Sequence, residues 1–292
     1  MTLAESRDRS QSRLRLVLAI TGTYLLAEVA GGLWTGSLAL LADAGHMLTD
    51  VGGLVLALLA MRFARRPATP RKTYGYHRIE ILAAFANGVV LLGISAGILY
   101  EAYERFLSPS AVATGTMLLI GALGLVVNVV GVMLLRSNVG ENLNMKGAYF
   151  ELLSDLLSSL GVILAGIVMM ATGWYWADPL VSAGIGLFII PRTWRLLGEA
   201  FGVLMEGAPP GIDLEALRRE LRSAPGVQDV HDLHVWTITS GMHSLTAHAV
   251  LAAGADPNVV REELTRRATA LDMDHVTIQT EAIGTEESER HD

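Results

Sequence analysis

Leu41-Ala42-Asp43-Ala44-Gly45-His46-Met47-Leu48-Thr49-Asp50 is the stretch on which the reading of this chain turns. It sets two carboxylates and an imidazole inside an apolar run, residues 40–62. About 20 mostly apolar residues suffice to cross a bilayer. A charged side chain at the centre of such a span costs about 2.5–3.5 kcal/mol even on the lenient insertion scale, so acids there point to function. His46 and Asp50 are four apart and share one helix face. Further on, Tyr149-Phe150-Glu151-Leu152-Leu153-Ser154-Asp155 repeats the arrangement with Glu151 and Asp155.

Two helices, each presenting two donors at i and i+4, supply four ligands around one point, the tetrahedral number that zinc prefers. Nitrogen and oxygen donors without sulfur suit zinc, cobalt, manganese or iron and disfavour copper(I). A bound dication also neutralises the carboxylates. The alternative is four separate polar anchors. Asp43, nearly a turn before His46, fits a support for the ligands or an acid on the metal's access path, and equally a structural helix bond.

Outward from these stretches the chain reads as six spans, at 14–34, 40–62, 79–104, 112–135, 146–171 and 175–198. Hydrophobic residues make up 51% of the 292 positions, charged residues 17%, and the mean hydropathy is +0.42. An ordinary soluble enzyme carries about a quarter charged residues, and disorder needs more charge still. Cysteine is absent, which removes disulfide scaffolds and cysteine nucleophiles. A pI near 5.6 speaks against nucleic acid as a partner. Basic residues crowd the N-tail, the even loops and the end of span six, with Arg105 alone on the other side, which places both termini in the cytoplasm. Asn87 and Asn128 read as interhelical hydrogen bonds, and Gly31, Gly32, Gly45, Gly52 and Gly53 as close packing around span two.

After Gly207-Ala208-Pro209-Pro210 the pattern becomes that of a soluble domain. Ile212–Ser223 predicts a helix, Val227–Thr239 and His243–Leu251 strands, Pro257–Leu271 a helix and His275–Glu281 a strand. The expected architecture is therefore an all-α six-helix transmembrane domain over 1–207, an αββαβ α+β cytoplasmic domain over 208–283, and a disordered end at 284–292. Net charge divides into +1 before residue 208 and −8 after it, and six of the eight histidines lie in the tail.

The chain resembles the cation diffusion facilitators, and most of all their bacterial zinc/cadmium/cobalt-resistance branch. The resemblance rests on Ser37–Asp50, on Tyr74-Gly75-Tyr76-His77-Arg78-Ile79-Glu80, on Asn144-Met145-Lys146-Gly147-Ala148-Tyr149, and in the tail on His231-Asp232-Leu233-His234-Val235-Trp236 and His275-Val276-Thr277-Ile278-Gln279. It implies a homodimer in the inner (plasma) membrane with a ferredoxin-like, metallochaperone-like tail. It also implies metal export, zinc first, in exchange for protons by alternating access, and no enzymatic activity. His46, Asp50 and Asp155 match the family's transport site; Glu151 stands where the family has His or Asp. With neutral His46 and ionised acids the set carries −3, one charge more than a two-His, two-Asp set, which predicts a harder site with weaker zinc-over-manganese discrimination.

By the same resemblance His231, His248 and Glu281 lie where the family places a regulatory metal, with Gln279 in place of an occasional histidine. His234, His243 and His275 read as surface or packing residues. A loop metal near His77 would need an acid. Residues 66–76 supply none and only Glu80 follows, so an interface role for His77 is favoured. Rival readings are a broader manganese/iron/cobalt/cadmium exporter, a passive cation channel, a sensor that has lost transport, and a membrane metalloprotease, whose His-Glu-x-x-His motif is absent.

Overall fold

The computed structural model describes the backbone of residues 3–64, 66–136 and 143–282. Side chains are described over these except at 3–15, 50, 53–54, 57–58, 60–61, 64 and 143–148. The Asp50 side chain, Gly53's packing and the expected disorder at 284–292 therefore lie outside the described residues.

The elements run α1 Leu3–Thr35, α2 Leu38–Ala64, α3 Ile79–Leu107, α4 Thr114–Leu135, α5 Leu143–Thr172, α6 Ala177–Leu204, α7 Leu214–Arg222, β1 Val227–Thr239, β2 Met242–Leu251, α8 Pro257–Ala270 and β3 His275–Glu281. By length and composition, five helical stretches suffice to cross a membrane: Leu16–Thr35, Ile79–Leu107, Thr114–Leu135, Tyr149–Thr172 and Ala177–Leu204. Over its described part, α2 adds the apolar helix Leu38–Thr49. The helical membrane domain and the αββαβ tail are those expected. One difference is α6, which continues to Leu204 rather than stopping at 198. Arg195 and Glu199 end an apolar span, but both are good helix formers and do not end a helix.

Contacts divide the chain into two compact units, Met1–Leu56 with Ala86–Leu196, and Ala57–Phe85 with Leu197–Asp292. The first is a helical bundle. Its core joins Leu38 and Leu40 of α2, Ile98 and Ala102 of α3, Met117 of α4, Val162 and Met169 of α5, and Ile185 and Ile189 of α6. Glycines set the spacing: a Cβ at Gly31 would strike Ile120, at Gly32 Leu41, and at Gly45 Ile94. The Asn87 Nδ2 donates to the Thr49 carbonyl at 3.1 Å, and Asn128 Nδ2 to Ser159 Oγ at 3.2 Å, so both asparagines bridge helices as expected.

The start of α2 is fastened by Asp178, the second residue of α6. Its carboxylate accepts from Ser37 Oγ at 2.6 Å, Leu38 N at 2.8 Å and Ala39 N at 3.2 Å. These backbone N–H groups are among those a helix start leaves unpaired, and a negative charge there also meets the positive end of the helix dipole. Arg105 lies 3.5 Å from the same carboxylate.

In the second unit β1-β2-β3 form one sheet, β1/β2 antiparallel and β2/β3 parallel. Asp213 caps α7 by accepting from Ala216 N at 3.0 Å, and Asp256 caps α8, whose first residue is Pro257. Both helices cover one sheet face over Leu221, Leu245, Leu264 and Met273, each at most 1% exposed. Burying such a side chain contributes about 1.5–3 kcal/mol. In the same unit Arg78 Nη2 donates to Glu206 at 2.8 Å.

Candidate metal centres

The bundle brings α2 and α5 together at His46 and Asp155. His46 Nε2 stands 3.8 Å from Asp155 Oδ1, with the residues 5% and 3% exposed. Tetrahedral zinc with bonds of about 2.0–2.2 Å holds neighbouring ligand atoms about 3.3–3.6 Å apart. The pair thus needs little movement to share an ion. Glu151, one turn before Asp155, is near enough to act electrostatically on His46. Sequence reasoning missed what holds it: Arg192 of α6 donates to Glu151 Oε2 at 2.7 Å. The expected excess charge therefore has a local counter-charge, and the set with Arg192 carries −2 rather than −3. In the sequence Arg192 is one of the basic residues at the end of span six, and a 41-residue separation from Glu151 gives no periodic signal.

Asp43 is fully buried and meets Glu28 of α1, a residue outside the i, i+4 pairs. Glu28 stands alone in its span, with no partner at i+4. The rule that an ionisable group inside a span is functional by default would have found it.

His77 lines a groove with Arg66, Thr73, Tyr74, Met242 and His275, and no acid is among the lining residues. Glu80 does not turn to His77. It accepts from Thr239 Oγ1 at 2.8 Å and Ser240 Oγ at 2.9 Å, at the β1–β2 turn.

In the tail, strand register assembles the second cluster. His231 pairs with His248 across β1/β2, and His248 with Gln279 across β2/β3. Side chains alternate along a strand, so Glu281, two residues beyond Gln279, shares their face. His231 Nε2 lies 3.1 Å from Glu281 Oε2, and His248 Nδ1 2.7 Å from Glu281 Oε1. Ligand atoms of the three residues all fall within 4.8 Å of one another. Gln279 Nε2 donates to Glu281 Oε1 at 3.3 Å and supports the carboxylate. Burial alone would raise the Glu281 carboxyl, but hydrogen bonds from His231 and His248 outweigh it and hold the pKa below the ordinary glutamate value. Two imidazoles and a carboxylate with a fourth position open are a donor set that fits zinc.

Asp232 also reaches this face, with Oδ2 3.8 Å from His248 Nε2 and Oδ1 3.0 Å from His234 Nε2. It does so because β1 shifts register between His231 and His234, with Asp232 at φ 49°. Strict alternation would have turned it away.

Residues 14–205 match the cation efflux transmembrane domain, and residues 209–283 the cation efflux protein cytoplasmic domain. The metal cation efflux system protein CzcD of Cupriavidus metallidurans is 45% identical over 282 residues, 96% of this chain and 89% of that protein. The cadmium, cobalt and zinc/H(+)-K(+) antiporter of Bacillus subtilis is 43% identical over 284 residues, 94% and 88% of the two chains. The zinc transporter ZitB of Escherichia coli is 40% identical over 277 residues, again 94% and 88%.

Proposed function

This chain belongs to the cation efflux family of membrane metal transporters, and on that premise we propose that it exports divalent cations, zinc foremost, in exchange for protons. The observation that carries the reading is the buried His46–Asp155 pair, 3.8 Å apart across α2 and α5. Asp50 and Glu151 lie one turn away on the same two helices and complete the ligand set. Metal binds ionised carboxylates and neutral imidazole, so loading a metal releases protons and protons expel a metal. Exchange follows if the site faces alternate sides and only loaded states switch.

The bilayer is the inner (plasma) membrane, with both termini in the cytoplasm. The tail is the seat of a homodimer and of a regulatory metal on His231, His248 and Glu281. It carries −8, so two copies side by side repel one another, and bound dications relieve that repulsion. A broader cargo range, including cadmium, cobalt and manganese, is the second reading. Glu151 in the ligand set, rather than a second histidine, favours it.

Inverted vesicles test the proposal. An imposed pH gradient is expected to drive saturable zinc uptake, and Asp155→Asn to abolish it. Retained uptake in Asp155→Asn would refute the site. Uptake that follows the zinc gradient alone would favour a channel.

A further inference from the structure

Glu28 is the one acid in the apolar part of α1, and the metal centre does not use it. It is 0% exposed, and the Tyr24 hydroxyl donates to its Oε1 at 2.9 Å. Gly124 of α4 leaves room for that phenol, since a Cβ there would collide with Tyr24 Oη. Asp43, also 0% exposed, meets Glu28 carboxyl to carboxyl. Glu28 Oε2 and both Asp43 oxygens have no donor within hydrogen-bond distance and angle, and the nearby Ser158 hydroxyl of α5 is the one neutral donor that acts on Asp43 among the described residues. The remaining ionisable group acting on Glu28 is Asp155, so among the described residues no cation faces the pair.

Two buried carboxylates in contact, without a cation, cannot both be ionised. One shared proton turns their repulsion into a hydrogen bond and pairs two of the three orphaned oxygens. We infer that Glu28 and Asp43 hold one exchangeable proton between them and form a proton-binding site of the carrier separate from its metal ligands.

The inference rests on the proton-exchange reading above and says where one of the protons resides. Asp155 is within electrostatic range of both Glu28 and Asp43. A dication seated at Asp155 raises the local positive potential and favours the doubly ionised pair. The O–H bond breaks heterolytically, both carboxylates keep their electrons, and the proton passes to the water that the site then faces. When the metal leaves, the pair takes a proton back. Metal and proton then compete through charge rather than for the same lone pairs.

Full-length protein in weakly buffered detergent solution, titrated with zinc beside a pH indicator, tests this. Glu28→Gln keeps an acceptor for Tyr24 and offers Asp43 a donor that cannot dissociate. It is expected to bind zinc, to release one proton fewer per zinc than wild type, and to lose about a tenfold change in affinity per pH unit. An unchanged proton count overturns the inference. So does loss of zinc binding in a folded Glu28→Gln protein, which would make Glu28 a ligand. If Glu28→Gln does not fold, infrared spectra of the wild type decide. The carbonyl band of a protonated carboxylic acid must be present without zinc and vanish with it, and its absence refutes the shared proton. Wild type that releases no protons and shows no pH-driven flux sinks the exchange reading itself. Release that Glu28→Gln leaves unchanged sinks only this inference.

Discussion

Glu281→Gln in the tail separates a metal ligand from a packing acid. The carboxylate touches His231 at 3.1 Å and His248 at 2.7 Å, one oxygen each. A carboxamide of the same shape keeps one oxygen and turns an NH2 group toward the other imidazole. As a ligand set, three donors become two. Loss of a supporting residue around a metal costs about 10–100-fold in affinity, so loss of a ligand is expected to cost at least about 100-fold. The tail can be studied as residues 208–283, because its core is drawn from Leu217 to Ile278 alone. Zinc at 100 times the wild-type Kd stabilises the fold by about 2.7 kcal/mol. For a domain of this size that raises Tm by about 11–22 °C, at about 4–8 °C per kcal/mol. At the same zinc concentration the variant sits near or below its own Kd. It then gains at most about 0.4 kcal/mol, or about 2–3 °C. Differential scanning calorimetry with and without zinc reads the difference. A Glu281→Gln tail with the full wild-type zinc shift would show that Glu281 is not a ligand and that the three-donor set has been misassigned.

Glu151→His alone would leave the Arg192 guanidinium beside a neutral ring and should weaken metal binding; Glu151→His with Arg192→Gln should widen the preference for zinc over manganese. Competition binding reads both, and a selectivity identical to wild type in the double variant removes Glu151 from the specificity argument. The metal-free tail should also lose stability in acid. Glu281 titrates below its ordinary value of about 4.3 when folded, so its stabilisation is fully present above that value and disappears as pH falls through the lowered one. Urea midpoints against pH should slope downward below about pH 4.3, less steeply in Glu281→Gln; parallel slopes would contradict the assignment.

The sequence carries the elements well because each has a local cause. Apolar length marks the spans, alternation marks Val227–Thr239 and His275–Glu281 to the residue, and Asp256-Pro257 announces the start of α8. The paired i, i+4 donors carry the candidate metal centre as far as one helix reaches. What crosses between helices is not periodic and is not legible: Arg192 on Glu151, Asp43 against Glu28, and Asp178 on the start of α2 each join residues with no spacing rule. Asp232 is hidden differently, since only a left-handed residue at a register shift turns it onto the histidine face. Glu80 reads as an acid beside His77, yet two hydroxyls of a turn some 160 positions away claim it.

The Asp178 clamp makes α2 a lever with a fulcrum. The clamp grips Leu38 and Ala39, and His46 follows eight residues on, about 12 Å along the axis at 1.5 Å per residue. A tilt of about 20° about that fixed end sweeps His46 through about 4 Å while Leu38 barely moves. Metal–ligand bonds tolerate only about 0.2 Å. A modest swing would therefore be enough to part His46 from Asp155 across α2 and α5. What looks like a plain helix cap is thus one of two anchors of the arm, the other being the Asn87 bond to the Thr49 carbonyl just past His46.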